Sequence, residues 1–310
     1  MSEREIVCAD LSRAIDDLSR DGFRLEVIYP ADDPHTAVLS HGSDDVRVTT
    51  RPDAPPIPAE LPAFIPEFVL TRVGGSSGHG RAGMLYRDLI PSRLGGRYIG
   101  SNIAIPGGGP VSDWVHYHRI AFQIIYVRRG WVRVVYEGQG EPFLMEPGDF
   151  VLQPPLIRHR VLESSPGLEV IEITAPAMHE TLADHAMQLP NGVDRALVFG
   201  RQRFLLHAAS ETPWAPFNGG EAQESALAEA TGGLANARSI RAGAGPIDFP
   251  PHEGELVFGF VLDGSATLDY REKSPFHAGD AFVIPPNEAW RITDPSADFR
   301  LLHVTTARLD

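Results

Sequence analysis

A single cysteine, Cys8, stands among 310 residues. One thiol excludes an intrachain disulfide and every zinc site built from several cysteines. Positive charge is also scarce: 27 Lys and Arg face 41 Asp and Glu, a formal net charge of −14. Nucleic acids and anionic membranes both require clustered Lys and Arg, so neither is an expected partner. No run approaches the ~18 apolar residues of a membrane span. The opening segment, MSEREIVCADLSRAIDD, is polar and has no apolar signal region, which makes the cytoplasm the default expectation. Gross disorder is excluded as well, with 43% hydrophobic and 22% charged residues.

Glycine and proline, by contrast, are plentiful, at 30 and 27 residues. Short strands joined by many turns use them in this way, which favours β structure over helical bundles. The length suits two domains, each with room for a core. An internal repeat supports that division. Residues 127–161 read VRRGWVRVVYEGQGEPFLMEPGDFVLQPPLIRHRV, and residues 261–292 read VLDGSATLDYREKSPFHAGDAFVIPPNEAWRI. Gly130 matches Gly264, Gly148-Asp149 matches Gly279-Asp280, and Pro154-Pro155 matches Pro285-Pro286. Offsets of 134 residues at the first match and 131 at the other two are those of a duplicated domain, not a solenoid. Strand signals are strong in both copies: FQIIYV, WVRVVYE, LEVIEIT and FGFVL are rich in β-branched and aromatic residues.

Outside the repeats, residues 9–22 have the pattern of one amphipathic helix starting after Asp10 and ending at Gly22. FRLEVIYP, TAVLSHG and VRVTT then suggest two or three strands. This opening resembles half of a glyoxalase-type βαβββ module, although no ligand motif accompanies it. The proline-rich stretch from Pro52 to Pro66 reads as a linker. MHETLADHAMQLP reads as a short helix, and ESALAEATGGLANARSI as a helical start passing into a strand.

The chemistry is concentrated in the first repeat. His116 and His118 lie two apart in a strand-like segment, so both imidazoles point to one face. A single metal ion can take both at about 2.0–2.1 Å. His159 offers a third imidazole from a neighbouring strand. Arg119, Arg158 and Arg160 alternate with these residues and should point outward, into surface ion pairs. Tyr126 has the opposite strand parity to Gln123, which favours packing over reaction. His179 and His185, six apart, cannot share a helix face and are expected to be solvated. Glu163 and Glu172 have the strand parity for a base near the ion. In the second repeat, counting from Gly264 puts Pro250, His252, Val257 and Trp290 at the positions of His116, His118, Gln123 and His159. One imidazole cannot hold a catalytic ion, so this copy is expected to be structural or to bind something apolar.

Together, His116-Tyr117-His118, Gln123, Gly130, Gly148, Pro154 and His159 resemble the two signature motifs of the cupin superfamily. Gln123 stands where that family has Glu, and Leu156 where the second motif has Gly. The resemblance implies an all-β chain of two cupin barrels (jelly-roll, double-stranded β-helix), with a small N-terminal α+β extension and a few short helices. Residues 1–75 would form the extension and linker, 76–190 a metal-binding barrel, and 191–310 a degenerate barrel without metal. It implies one divalent ion on His116, His118 and His159, with iron(II) the family's usual metal at three-His sites and nickel, manganese, zinc and copper also known. Gln123 would either ligate the ion or hydrogen-bond its water.

Three functions follow from such a site. The first is a mononuclear dioxygenase acting on a small aromatic or enolisable, oxygen-chelating substrate with O2. The second is a redox-neutral isomerase, cyclase, decarboxylase or lyase in which the ion stabilises an enolate. The third is a non-catalytic binding or storage protein, which would have little need of three converging imidazoles. Apolar outer sheets of cupin barrels bury one another, so a homodimer is also expected.

Overall fold

The computed structural model describes residues 4–74, 78–79 and 83–309, and its regular structure is overwhelmingly antiparallel strand, arranged as two barrels. The strand Phe122–Arg129 shows why the barrels pack against each other. Successive side chains on a strand point to opposite faces. Phe122, Ile124 and Tyr126 join one apolar cluster with Phe258, Phe260, Leu302 and Val304 of the second barrel. Gln123 and Ile125 face the other way, into the cavity of the first barrel. A one-residue slip in register would exchange the site for the core between the barrels. Tyr126 therefore packs, as its parity suggests, and its hydroxyl meets Ser239 Oγ at 3.1 Å.

Two further features bind the barrels together. Arg97 forms a two-pronged ion pair with Glu255, Nε to Oε2 at 2.9 Å and Nη2 to Oε1 at 2.8 Å, with both side chains buried. Strands are also exchanged. Val69–Thr71, which precedes the first barrel in sequence, pairs with Ala281–Val283 in the second. Leu205–His207, which follows the first repeat, pairs with Phe150–Leu152.

The repeated Gly-Asp dipeptides now have a physical reason. Gly148 and Gly279 adopt φ of +99° and +96°, a left-handed region that side chains with a Cβ avoid. The next residue ties the turn: Asp149 Oδ2 accepts from Glu146 N at 2.9 Å, and Asp280 Oδ2 accepts from His277 N at 3.0 Å. The second carboxylate oxygen anchors the exchanged strand's exit, Asp149 Oδ1 accepting from Ala209 N at 2.8 Å and Asp280 Oδ1 from Val73 N at 2.7 Å. Duplication has preserved the turn and the strand clasp together.

The N-terminal segment has the element order βαβββ: Arg4–Val7, the helix Leu11–Arg20, then Arg24–Tyr29, Thr36–His41 and Asp44–Thr49. Asp10 caps the helix, its side chain accepting from Arg13 N at 3.0 Å. Leu11, Ala14, Ile15 and Leu18, one helical stripe, cover Ala37, Leu39, Val46 and Val48 of the sheet. That sheet does not end with the segment. Arg24–Tyr29 pairs with Thr181–Ala183, which pairs with His116–His118. The expected helix over 178–190 is therefore corrected to a short strand, Thr181–Ala183. Local helix propensity yields there to pairing on both edges. The linker stretch has no helix or strand, but Leu61 and Phe64 pack on the core between the barrels. Leu227–Ala230 is helical and leads to the strand Ala235–Arg241, as expected. No helix among the described residues is long and apolar enough to cross a membrane.

Candidate metal centre

His116 lies directly opposite His159 in the antiparallel pair of strands His116–His118 and His159–Ser164. The three imidazoles converge, with ring centroids 4.1 Å apart for His116 and His159 and 5.3 Å for each pair involving His118. Each ring offers a nitrogen, all within 4.8 Å of one another, and all three residues are buried. Two ligands at ~2.1 Å from one ion lie about 3–4 Å apart, so a small closure of the rings would complete the site.

The backbone selects the protonation form that such a site needs. Nδ1 of His116 lies 2.7 Å from Trp114 O, that of His118 3.0 Å from Glu180 O, and that of His159 3.1 Å from Ile157 O. A carbonyl can only accept, so each Nδ1 donates, and Nε2 is the nitrogen left for a metal ion. This is the arrangement in which imidazoles bind metals through Nε2, oriented by backbone hydrogen bonds. Buried Asp113, 3.5 Å from His116 Nδ1, adds negative charge behind the site and is held by Val161 N at 2.9 Å. The donor set fits one divalent ion.

Gln123 is 3% exposed and belongs to a directed chain of hydrogen bonds. Tyr136 Oη donates to Gln153 Oε1 at 2.9 Å, and Gln153 Nε2 donates to Gln123 Oε1 at 2.6 Å. Gln123 Nε2 then donates to Glu172 Oε1 at 2.9 Å, which also accepts from Thr174 Oγ1 at 2.8 Å. Both ends of the Gln123 amide are thus engaged by neighbours. Burial, helped by the charge of Asp113, pushes the Tyr136 phenol well above its usual range, so it remains a donor. Its ring stacks on His159 at 5.4 Å and 17°. Tyr136 and Gln153 escaped the sequence reading; Gln153 stands just before the Pro-Pro pair, where only strand parity could have marked it.

The two candidate bases part company. Glu172 lines the cavity. Glu163 points outward and pairs with Arg133 at 3.0 Å. The reason is a bulge: Val134 pairs with Val161 but Arg133 with Glu163, so Leu162 is an extra residue that inverts the parity beyond it. The expectation that His179 is solvated is also corrected. With the helix replaced by a strand, His179 is 2% exposed, its ring 5.4 Å from that of His118. His185 is exposed, as expected, with its Nε2 2.9 Å from Leu25 O. The arginines behave as expected where they are paired: Arg119 meets Glu180 at 2.9 Å, and Arg158 meets Asp184 at 2.9 Å while covering the Tyr117 ring.

The cavity beneath the histidines encloses about 110 Å³, the scale of the ~150 Å³ space that holds a benzene ring. Ile103, Ile125, Val134, Met145, Leu168 and Val170 form its apolar wall. Among the described residues lining it there is no Lys or Arg.

The second barrel is filled instead. Phe249 pairs opposite Trp290, and their rings stack at 3.7 Å and 4°. Pairing therefore puts Phe249, not Pro250, where His116 stands opposite His159. Phe276, Phe282 and Phe299 complete the interior. His252 Nδ1 accepts from Gly254 N at 3.0 Å, which occupies the lone pair of that nitrogen. His303 projects among these aromatics, and burial, then Arg238 and His252, push it down to about 3.

A family model described as Cupin domain matches residues 239–305, within this filled barrel. None of the curated proteins matches the sequence. Solved structures share the fold along most of the chain. Protein Ylba from E. coli superposes with a TM-score of 0.58 at 13% identity, covering 80% of this chain and 95% of its own. A salicylate 1,2-dioxygenase from Pseudaminobacter salicylatoxidans gives 0.55 at 15%, covering 79% and 86%. A mutant of Bacillus subtilis oxalate decarboxylase gives 0.56 at 11%, covering 81% and 79%. At such identities the likeness is one of fold.

Proposed function

We infer that this chain, a two-barrel member of the cupin superfamily, holds one divalent metal ion on His116, His118 and His159 and acts there on a small substrate. Iron(II) is the ion we assign, and the reaction is a dioxygenation. When bound, the ion would supply Lewis acidity and adjacent positions for a substrate oxygen and O2. The remaining tasks fall to the chain. The carbonyls of Trp114, Glu180 and Ile157 engage each Nδ1 and keep the imidazoles aimed. The apolar wall excludes water and accommodates a ring or short chain. The Tyr136–Gln153–Gln123–Glu172 chain holds the Glu172 carboxylate at the cavity's edge, where it can accept a proton from the substrate's coordinating hydroxyl.

The observation that carries this reading is the pairing of three converging imidazoles with an apolar cavity that has no Lys or Arg among its described lining residues. Three neutral donors leave an ion its full charge, which draws an anionic oxygen, and the wall suits an aromatic body and dioxygen. A salicylate 1,2-dioxygenase shares the fold. A second reading rests on Glu172, a carboxylate placed to move a proton in a redox-neutral isomerisation or decarboxylation. An oxalate decarboxylase also shares the fold. Oxygen uptake by the iron(II)-loaded protein with catechols, hydroxyaromatic acids and β-diketones separates the two. Uptake with one of them supports dioxygenation; turnover of equal rate without oxygen supports the second reading and removes the first.

A further inference from the structure

The segment before the strand Thr181–Ala183 carries a histidine that the metal site does not use. His179 lines the same cavity as the three candidate ligands and is 2% exposed. Its Nδ1 lies 3.1 Å from Pro176 O. That carbonyl can only accept, so Nδ1 donates to it, and in the neutral ring Nε2 is a lone-pair acceptor. Nε2 is buried and has no hydrogen-bond partner. Leaving such an atom unsatisfied is costly, and a bound donor would remove that cost. His179 also falls outside the cluster whose ligand atoms lie within 4.8 Å, which sets it beside the ion's ligands and not among them.

A second acceptor faces the same space from another part of the chain. The loop after Arg24–Tyr29 brings Ala31 and Asp32 to the cavity wall. Ala31 N donates to His179 O at 3.2 Å, which fastens the loop to this residue. Asp32 Oδ2 is held by Arg93 Nη2 at 2.8 Å, while Oδ1 is buried with no partner. Two acceptors, each with its other polar atom committed, line a cavity whose described wall has no Lys or Arg.

We propose that His179 Nε2, assisted by Asp32 Oδ1, receives a hydrogen bond from a substrate hydroxyl that is not the metal-binding oxygen. The N-terminal βαβββ segment thereby supplies part of the substrate site. The substrate class is a small ring or chain that chelates the ion at one end and carries a hydroxyl donor beyond it. A site built to accept such a bond discriminates strongly against a substrate lacking the group. The proposal rests on the metal reading above, and its test reports on the two separately.

The cobalt(II)-loaded protein has a visible spectrum that responds both to ion binding and to a chelating ligand. Salicylate and its singly ring-hydroxylated derivatives share one chelating unit and differ only in the extra hydroxyl. In the wild type at least one hydroxylated derivative should bind about tenfold more tightly than salicylate, the value of one buried hydrogen bond. In His179→Leu that preference should vanish while cobalt affinity and salicylate binding stay within about twofold; His179→Gln, which keeps an acceptor, should restore part of it. A preference unchanged in His179→Leu, or absent from the wild type because no derivative binds more tightly than salicylate, overturns the proposal and leaves the metal site standing. Failure of the wild type to take up cobalt overturns both. A fall in cobalt affinity in His179→Leu would make His179 a metal-site residue and also overturn it.

Discussion

The ion pair between Arg97 and Glu255 allows the docking of the two barrels to be weighed. Both side chains are less than one-tenth exposed, and all five of their polar side-chain atoms have protein partners. Arg97 donates to Glu255, to Pro62 O at 3.1 Å and to Leu309 O, while Tyr98 Oη donates to Glu255 Oε2 at 3.1 Å. Arg97→Met keeps the aliphatic stem but leaves the carboxylate with only the Tyr98 hydroxyl. Glu255→Leu leaves the guanidinium with two carbonyls. Stranding one buried charge costs about 3–5 kcal/mol, and Arg97→Met should lie toward the upper end because its orphan has fewer partners. The double variant, with no charge left to strand, should cost less than Arg97→Met alone. Urea unfolding followed by tryptophan fluorescence measures all three, since Trp131 and Trp290 report on different barrels. Single variants costing less than ~1 kcal/mol, or a double variant costing the sum of the two, would refute the claim that this pair is desolvated and shared between the barrels.

Other expectations follow from the site and the filled barrel. Gln123→Glu puts a second carboxylate against Glu172, now 2.9 Å from the amide nitrogen; the metal-free variant should lose about 1–3 kcal/mol at neutral pH, and added divalent metal should stabilise it more than the wild type, both read by thermal unfolding. His303, whose pKa burial, Arg238 and His252 push down to about 3 against an ordinary 6.5, binds a proton more readily in the unfolded chain. Its contribution is thus intact above pH 6.5 and is lost as pH falls toward 3. At pH 5 the loss is on the order of 2 kcal/mol. His303→Leu should remove that part of the pH dependence, and equal slopes for variant and wild type between pH 4 and 6.5 would contradict it.

Much of this was legible in the sequence, for reasons that differ from residue to residue. His116, His118 and His159 could be found because strand period and turn glycines fix both their direction and their register. The barrel repeat was visible because Gly148-Asp149 and Gly279-Asp280 perform the same backbone task twice. His179 was misplaced because Thr181–Ala183 is a strand only through its neighbours, Arg24–Tyr29 and His116–His118; its own residues favour a helix. Glu163 was misjudged because a bulge at Leu162 leaves no mark in composition. The exchanged strands Val69–Thr71 and Leu205–His207 are three residues each, too short for any periodicity to show.

The most direct measurement is anaerobic titration of the metal-free protein with iron(II) or cobalt(II), alongside the His116→Ala, His118→Ala and His159→Ala variants. One ion per chain in the wild type, with affinity reduced at least a hundredfold in each variant, is the predicted result, together with unchanged binding in Trp290→Phe. A wild type that takes up no ion, or variants that bind as the wild type does, would contradict the account.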